Sequence, residues 1–397
     1  MTIEINQVTT IFLAIALLVL GTFIIKNVPF LQKFCIPAPV AGGLLFAIIA
    51  TALKASGLVE LTLDTSLQSL FMLTFFTTVG LGASFRLIKL GGKLLVIYWI
   101  ACGFLALMQN VIGISLASVL NIDPLLGIMA GAVSMEGGHG GATAFGTTIE
   151  EFGVDSALSI GLAAATFGLV AGGLVGGPTV KYLISKYHLT PSETEVAEEA
   201  LPQEKATTDI DSNLFIMQIL LITFCMAVGS YLGDLFSVQT GFVLPSYVGA
   251  MFVAVIVRNV MDQFKDDVID MRSVNLIGDV TLGIFLTMAL MSIKLWEIAD
   301  LALPILVIVF VQVVFIVLLG IFVLFRLLGK DYDAAVMVGG FTGHGLGATP
   351  NAMANMSAIT QKYGPSRKAF LIVPIVGAFL IDVFAVPIII TSINLFH

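Results

Sequence analysis

Charge is what this chain has least of. Lysine, arginine, aspartate and glutamate make up 11% of its 397 residues, where soluble domains carry about 25%. Hydrophobic side chains make up 58% and the mean hydropathy is +1.05. A compact water-soluble domain keeps most of its chain near a wet surface, so this composition excludes one and places the chain in a bilayer. Cysteine is nearly as scarce. Cys35, Cys102 and Cys225 lie far apart in apolar surroundings, which suggests neither a disulfide framework nor a metal knuckle. No basic patch with interleaved aromatics is present, so nucleic acid is not an expected partner. No phosphate-binding loop, catalytic triad or three-ligand metal spacing appears, so neither an enzyme nor a nucleotide-driven pump is expected. The energy source is then expected to be an ion gradient, with no other cofactor.

What the chain does have is long apolar runs and 39 glycines. The runs fall at 5–25, 39–53, 67–84, 94–119, 125–148 and 157–180, then at 213–232, 243–257, 275–292, 301–325, 334–357 and 369–393. The first, whose core is 11–25, has no basic region before it and no small-residue cleavage site after it, so it reads as a retained span. Two of the twelve differ in kind. The 125–148 run holds Gly137, Gly138, His139, Gly140 and Gly141, and the 334–357 run holds Gly339, Gly340, Gly343, Gly345 and Gly347 before Pro350. Glycine costs a helix interior about 1 kcal/mol relative to alanine. Clusters of it predict broken, re-entrant backbone, which a membrane tolerates only where protein or a watery cavity surrounds it.

Ten full spans remain. With the N-terminus outside, 16 of the 18 lysines and arginines fall on the cytoplasmic side, leaving only Lys54 and Lys294 outside. Both termini are therefore expected in the periplasm. The linker 185–212 faces the cytoplasm; seven of the 26 acids lie between Glu193 and Asp211, and the stretch reads as a solvated tether. The halves also resemble each other. Asp123-Pro124 through Gly131 recurs as Asp331-Tyr332 through Gly339 at an offset of 208, Gly138-His139-Gly140 as Gly343-His344-Gly345 at 205, and Pro39 with Gly43 as Pro245 with Gly249 at 206. Five spans per half invert the second half relative to the first, the arrangement of many secondary transporters.

The expected fold is thus an all-α polytopic membrane protein with two inverted-topology repeats, residues 1–184 and 213–397. Each has five transmembrane helices and one re-entrant segment, entering from opposite faces and meeting near the midplane. Broken-helix N-termini there suit a carboxylate, and free carbonyls suit Na⁺. The candidate substrate-binding residues are Ser134, Gly137, Gly138, His139, Gly140, Thr143, Thr342, Gly343, Gly345, Gly347, Thr349 and Asn351. The candidate sodium ligands are Glu136, Asn110, Asp279, Asn355 and Asp382, polar groups in apolar runs. The two histidines are expected to hydrogen-bond loop carbonyls and fix the tips. Every arginine lies at a loop or span end, so helix termini and hydroxyls have to recognise an acidic substrate; Arg258 and Arg272 are the ones best placed to lean inward.

Four runs then carry a family resemblance: Gly137-Gly138-His139-Gly140, Gly345-Leu346-Gly347-Ala348-Thr349-Pro350-Asn351-Ala352-Met353-Ala354-Asn355-Met356, Pro37-Ala38-Pro39-Val40-Ala41-Gly42-Gly43-Leu44 and Phe167-Gly168-Leu169-Val170-Ala171-Gly172-Gly173. The chain resembles the bacterial glutamate:sodium symporters over nearly its whole length. The resemblance implies Na⁺-driven uptake of L-glutamate across the inner membrane, a homodimer, and a mobile core working against a scaffold. The chain departs from the family's usual pattern at Gly141, where a threonine is expected, and at Glu136, where a small or hydroxylated residue is commoner. Around Thr342, Gly343 and His344 it also lacks the cysteine of close relatives. Rival readings are a carrier of aspartate or a hydroxycarboxylate coupled to Na⁺ or H⁺, and an ion channel.

Overall fold

The computed structural model describes residues 2–33, 36–191, 212–264, 269–293 and 301–397. Cys35, Lys205, Lys265, Lys294 and linker positions 192–211 lie outside the described residues. Among the described residues, sixteen α-helices follow one another: α1 (Gln7–Asn27), α2 (Pro29–Lys33), α3 (Ala38–Ala55), α4 (Gln68–Gly82), α5 (Arg86–Val119), α6 (Pro124–Ile128), α7 (Gly138–Glu151), α8 (Ala157–Tyr187), α9 (Ser212–Thr240), α10 (Ser246–Phe264), α11 (Met271–Met291), α12 (Ala302–Leu319), α13 (Phe325–Leu327), α14 (Tyr332–Tyr363), α15 (Arg367–Ile375) and α16 (Asp382–Phe396). Wide π turns, Met129–Val133, Gly320–Leu324 and Val376–Leu380, join α6 to the first glycine cluster, α12 to α13, and α15 to α16.

Seven stretches among the described residues are long and apolar enough to cross a membrane: Gln7–Asn27, Ala38–Ala55, Gly91–Val119, Ala157–Tyr187, Ser212–Thr240, Met271–Met291 and Ala302–Leu327. The chain is a polytopic membrane protein. Three of the ten expected spans are not among the seven. Helix α4 has only 15 residues, α10 carries Arg258 and Asp262, and the last span is interrupted by the third π turn just before Asp382. One element was not expected at all. Strands β1 (Thr2–Ile5) and β2 (Glu60–Leu63) pair in parallel, Thr2 opposite Glu60 and Ile5 opposite Leu63. Both alternate polar and apolar residues, the pattern of a half-exposed strand. The pairing puts the chain start and the α3–α4 connection at one end of the molecule.

The helices form two bodies. In the first, α1, α3, α4, α9, α10 and α11 pack on one another; in the second, α5 to α8 pack with α12 to α16. Glycines set the closest approaches within each body, as expected where lipid supplies no hydrophobic drive between helices. A Cβ on Gly21 would lie 2.1 Å from the Ala38 carbonyl oxygen, and one on Gly42 would lie 2.0 Å from that of Leu17, so α1 and α3 touch backbone to backbone. The same crossing recurs between α9 and α10, where a Cβ on Gly229 would lie 2.3 Å from the Ala250 Cα and one on Gly249 2.4 Å from the Gly229 oxygen. Between the bodies, α7 meets α11 and α4 meets the third π turn.

Candidate transport site

Both glycine-rich segments begin at an aspartate cap. Asp123 accepts the Leu125 N–H at 2.8 Å ahead of Pro124, and Asp331 accepts the Ala334 N–H at 2.7 Å. Each cap satisfies an otherwise unpaired donor of the first turn and fixes where the helix starts. Neither segment then runs straight. In α14 the backbone leaves helical geometry at Gly347 and Ala348, the latter at φ +60°. Beyond that break the second arm lies back along the first. A Cβ on Gly343 would lie 2.7 Å from the Ala352 Cα, one on Gly340 2.9 Å from the Met356 sulfur, and one on Gly339 2.6 Å from Ile359 Cδ1. At the open end, Tyr332 Oη donates to the Gly364 oxygen at 2.5 Å. The first segment turns over residues 131–138. A Cβ on Gly141 would lie 2.7 Å from the Val133 oxygen, whereas eight residues of straight helix would separate them by about 12 Å.

The two reversals meet. Gly138 holds φ +59°, and a Cβ there would lie 3.3 Å from the Ala348 Cβ. Long-range amides pin each tip. Gln109 on α5 donates to the Gly345 oxygen at 2.7 Å, and Gln312 on α12 donates to the Ala130 oxygen at 2.7 Å. Each half of the chain thus satisfies a carbonyl that the other half's broken helix leaves free.

At the meeting point, between the two helix bodies, lies a cavity of about 440 Å³. The second body contributes Glu136, the run Gly137–Gly141, Gly347, Ala348, Pro350 and Asp382; the first contributes Pro37, Phe75, Phe76, Asp279 and Leu282. Two helix N-termini, that of α7 and that of the second arm of α14, open onto it. All three acids singled out within apolar runs are therefore brought together. No lysine or arginine lines the cavity among the described residues. Arg258 instead pairs with Asp262 at 3.0 Å and donates to the Leu81 oxygen, tying α10 to α4, and Arg272 lies exposed at the start of α11.

The sequence candidates divide sharply. Gly137, Gly138, His139, Gly140, Gly347, Glu136, Asp279 and Asp382 line the cavity. The others stand behind it and hold the frame. Ser134 Oγ reaches the Met129 and Gly161 oxygens, Thr143 donates to the His139 oxygen and Thr342 to that of Val338, while Thr349 donates to the Gly377 oxygen at 2.6 Å. Asn351 and Asn355 donate to the Leu169 and Gly172 oxygens, both at 3.1 Å, and clamp α14 onto α8. Asn110 accepts the Ala132 N–H and donates to Ser392. Gly343 faces the second arm inside the hairpin, whereas Gly345 faces outward, where its Cβ would press Leu105 of α5 and Ile316 of α12 at 2.4 and 2.5 Å.

The expectation for the histidines needs correction. His139 Nε2 lies 3.0 Å from the Thr166 hydroxyl rather than from a loop carbonyl, and among the described residues neither ring nitrogen of buried His344 has a hydrogen-bond partner. Sequence reasoning also missed Phe75 and Phe76, Ala348 and Gln312. Two adjacent phenylalanines in an apolar run carry no signal. The pair Gln109 and Gln312, 203 residues apart at matching depths of the two halves, did carry one.

Taken together, a polytopic helical protein whose two broken helices meet at a central cavity lined by three acids belongs to the class of membrane transporters. The family model for the sodium/glutamate symporter matches residues 3–365. A sodium/glutamate symporter of Escherichia coli K12 is 44% identical over 384 residues, covering 96% of this chain and 95% of that one. The sodium/glutamate symporter of Haemophilus influenzae is 42% identical over 379 residues, covering 94% and 93%. This chain belongs to the sodium/glutamate symporter family, and the family is one of transporters rather than enzymes.

Proposed function

We propose that this protein carries L-glutamate into the cell across the bacterial inner membrane by Na⁺ symport and alternating access. The observation that carries the reading is the contact of Gly138 with Ala348 over one cavity into which Glu136, Asp279 and Asp382 project. The two helix N-termini there offer unpaired backbone N–H groups to the two carboxylates of glutamate, with no arginine needed. Asp382 and Asp279, on opposite bodies, are the acids we assign to Na⁺. Asn110 and Asn355 spend their amides on holding helices, and their contribution to Na⁺ binding is through that frame. Sodium bound between the bodies screens the acids, so the substrate anion enters a cavity that would otherwise repel it.

The halves 1–184 and 213–397 act as inverted repeats in this reading, with the termini in the periplasm and the linker in the cytoplasm. Its supports are the paired aspartate caps, the glycine crossings of α1 with α3 and of α9 with α10, and the reciprocal glutamine bonds. The second body, holding both tips, is the moving core; the first is the scaffold, and through it two copies form a homodimer. The test is uptake of labelled L-glutamate into proteoliposomes. Accumulation above equilibrium under an inward Na⁺ gradient, absent with an H⁺ gradient alone and competed by glutamate but not by aspartate or hydroxycarboxylates, is the expected result. Uptake that only equilibrates, or that prefers another carboxylate, overturns the assignment.

A further inference from the structure

Glu136 stands apart from the other cavity acids. It is only 4% exposed, and among the described residues neither carboxylate oxygen has a hydrogen-bond partner. A carboxylate withdrawn from water without a partner is costly, so a buried one that lines a cavity is neutralised either by holding a proton or by a cation in the cavity. Among the described residues, its surroundings supply no positive charge. Tyr98 and Cys102 on α5 and Asp382 beside the third π turn are close enough to interact with it electrostatically, and Asp279 on α11 and His139 on α7 line the same cavity. None of these is a cation, and a thiol is a poor ligand for a hard alkali ion. Asp279 differs: it lines the cavity but is exposed, as suits a hydrated cation.

Glu136 directly precedes Gly137–Gly141, whose first amides form the N-terminus of α7. An α-amino acid carries its carboxylate and its ammonium on one carbon. A site that binds both needs N–H donors and an anionic acceptor side by side, and here they come from consecutive residues of one rigid tip. We infer that Glu136 receives the α-ammonium group of the substrate while the adjacent α7 amides receive its α-carboxylate, so that the cavity selects amino acids over amine-free dicarboxylates of the same length. This rests on the glutamate-transport reading and adds to it which residue reads the amine.

The test compares L-glutamate with glutarate, the same carbon chain without the amine, as competitors of labelled L-glutamate uptake under a Na⁺ gradient. The wild-type protein is expected to be blocked by glutamate and to ignore glutarate. In E136Q, which keeps the shape and removes the charge, the KM for glutamate is expected to rise about 10- to 100-fold, the worth of a lost charged hydrogen bond. The preference for glutamate over glutarate should collapse with it, while E136D should keep the preference. Unchanged discrimination in a folded, transporting E136Q protein overturns the inference and points to a proton as the partner of Glu136. Glutarate competing as well as glutamate against the wild-type protein overturns it without any variant. Failure of the underlying reading looks different: no glutamate uptake by the wild-type protein at all.

Discussion

At the scale of single residues, the cavity acids were the most legible part of the site. An aspartate flanked by Leu380-Ile381 and Val383-Phe384 has to face the protein interior or a cavity, because charge in lipid is expensive. Asp382 does line the cavity. Replacing it by asparagine is expected to raise the Na⁺ concentration for half-maximal uptake at least tenfold while the protein still elutes as a folded species; unchanged Na⁺ dependence would make Asp382 structural. The hydroxyls and amides were less legible, since a serine or asparagine beside a break looks the same in sequence whether it faces ligand or backbone. Ser134 turns to the Met129 oxygen at the π turn, Thr143 bonds back to His139 on its own helix, and Asn351 and Asn355 use carbonyls of the continuous helix α8 to clamp α14 in place. Gly138 is the most exacting position. Alanine there would have to adopt φ +59° and meet the Ala348 Cβ at 3.3 Å, a strain of about 1–3 kcal/mol. Uptake by Gly138→Ala is expected to fall about tenfold or more with expression little changed, and normal uptake would argue that the tip is not part of the path.

Among the elements, the two glycine-rich segments were visible as breaks, and glycine clustering located both reversals to within a few residues. Their contacts were not visible, because a hairpin tip is placed by long-range partners. Gln109 and Gln312 show this: each reaches across from a long apolar helix to a tip 236 or 182 residues away. Interhelical polar bonds of this kind are worth about 0.6–2 kcal/mol. Gln109→Ala and Gln312→Ala are each expected to lower the thermal midpoint by a few degrees and to slow uptake without abolishing Na⁺ dependence. A change in stability with full transport would assign the pair to packing alone. The β1–β2 pairing escaped notice because four-residue alternations are too short to stand out beside a long apolar run, and only the fold brings Thr2 opposite Glu60.

For the whole molecule, hydropathy and charge gave the membrane class and an orientation, while the division into two bodies came only from the coordinates. Which helices share a body depends on the crossings, and small residues that permit close approach are spread through both. The boundary matters because the cavity lies on it, with Asp279 on one side and Asp382 and both tips on the other. Orientation makes its own prediction: a single cysteine placed between residues 192 and 211 should react with an impermeant reagent only from the cytoplasmic side, and periplasmic labelling would reverse the topology.

The central claim is that substrate and Na⁺ meet where the two tips touch. Ala348 already holds its left-handed conformation with a Cβ, so Ala348→Cys adds a thiol there without adding backbone strain. Measured against the parent protein in transporting vesicles, alkylation of this cysteine is expected to slow several-fold when L-glutamate and Na⁺ are present together, and much less with either alone. A rate indifferent to saturating glutamate and Na⁺, in vesicles that transport it, would place the path elsewhere.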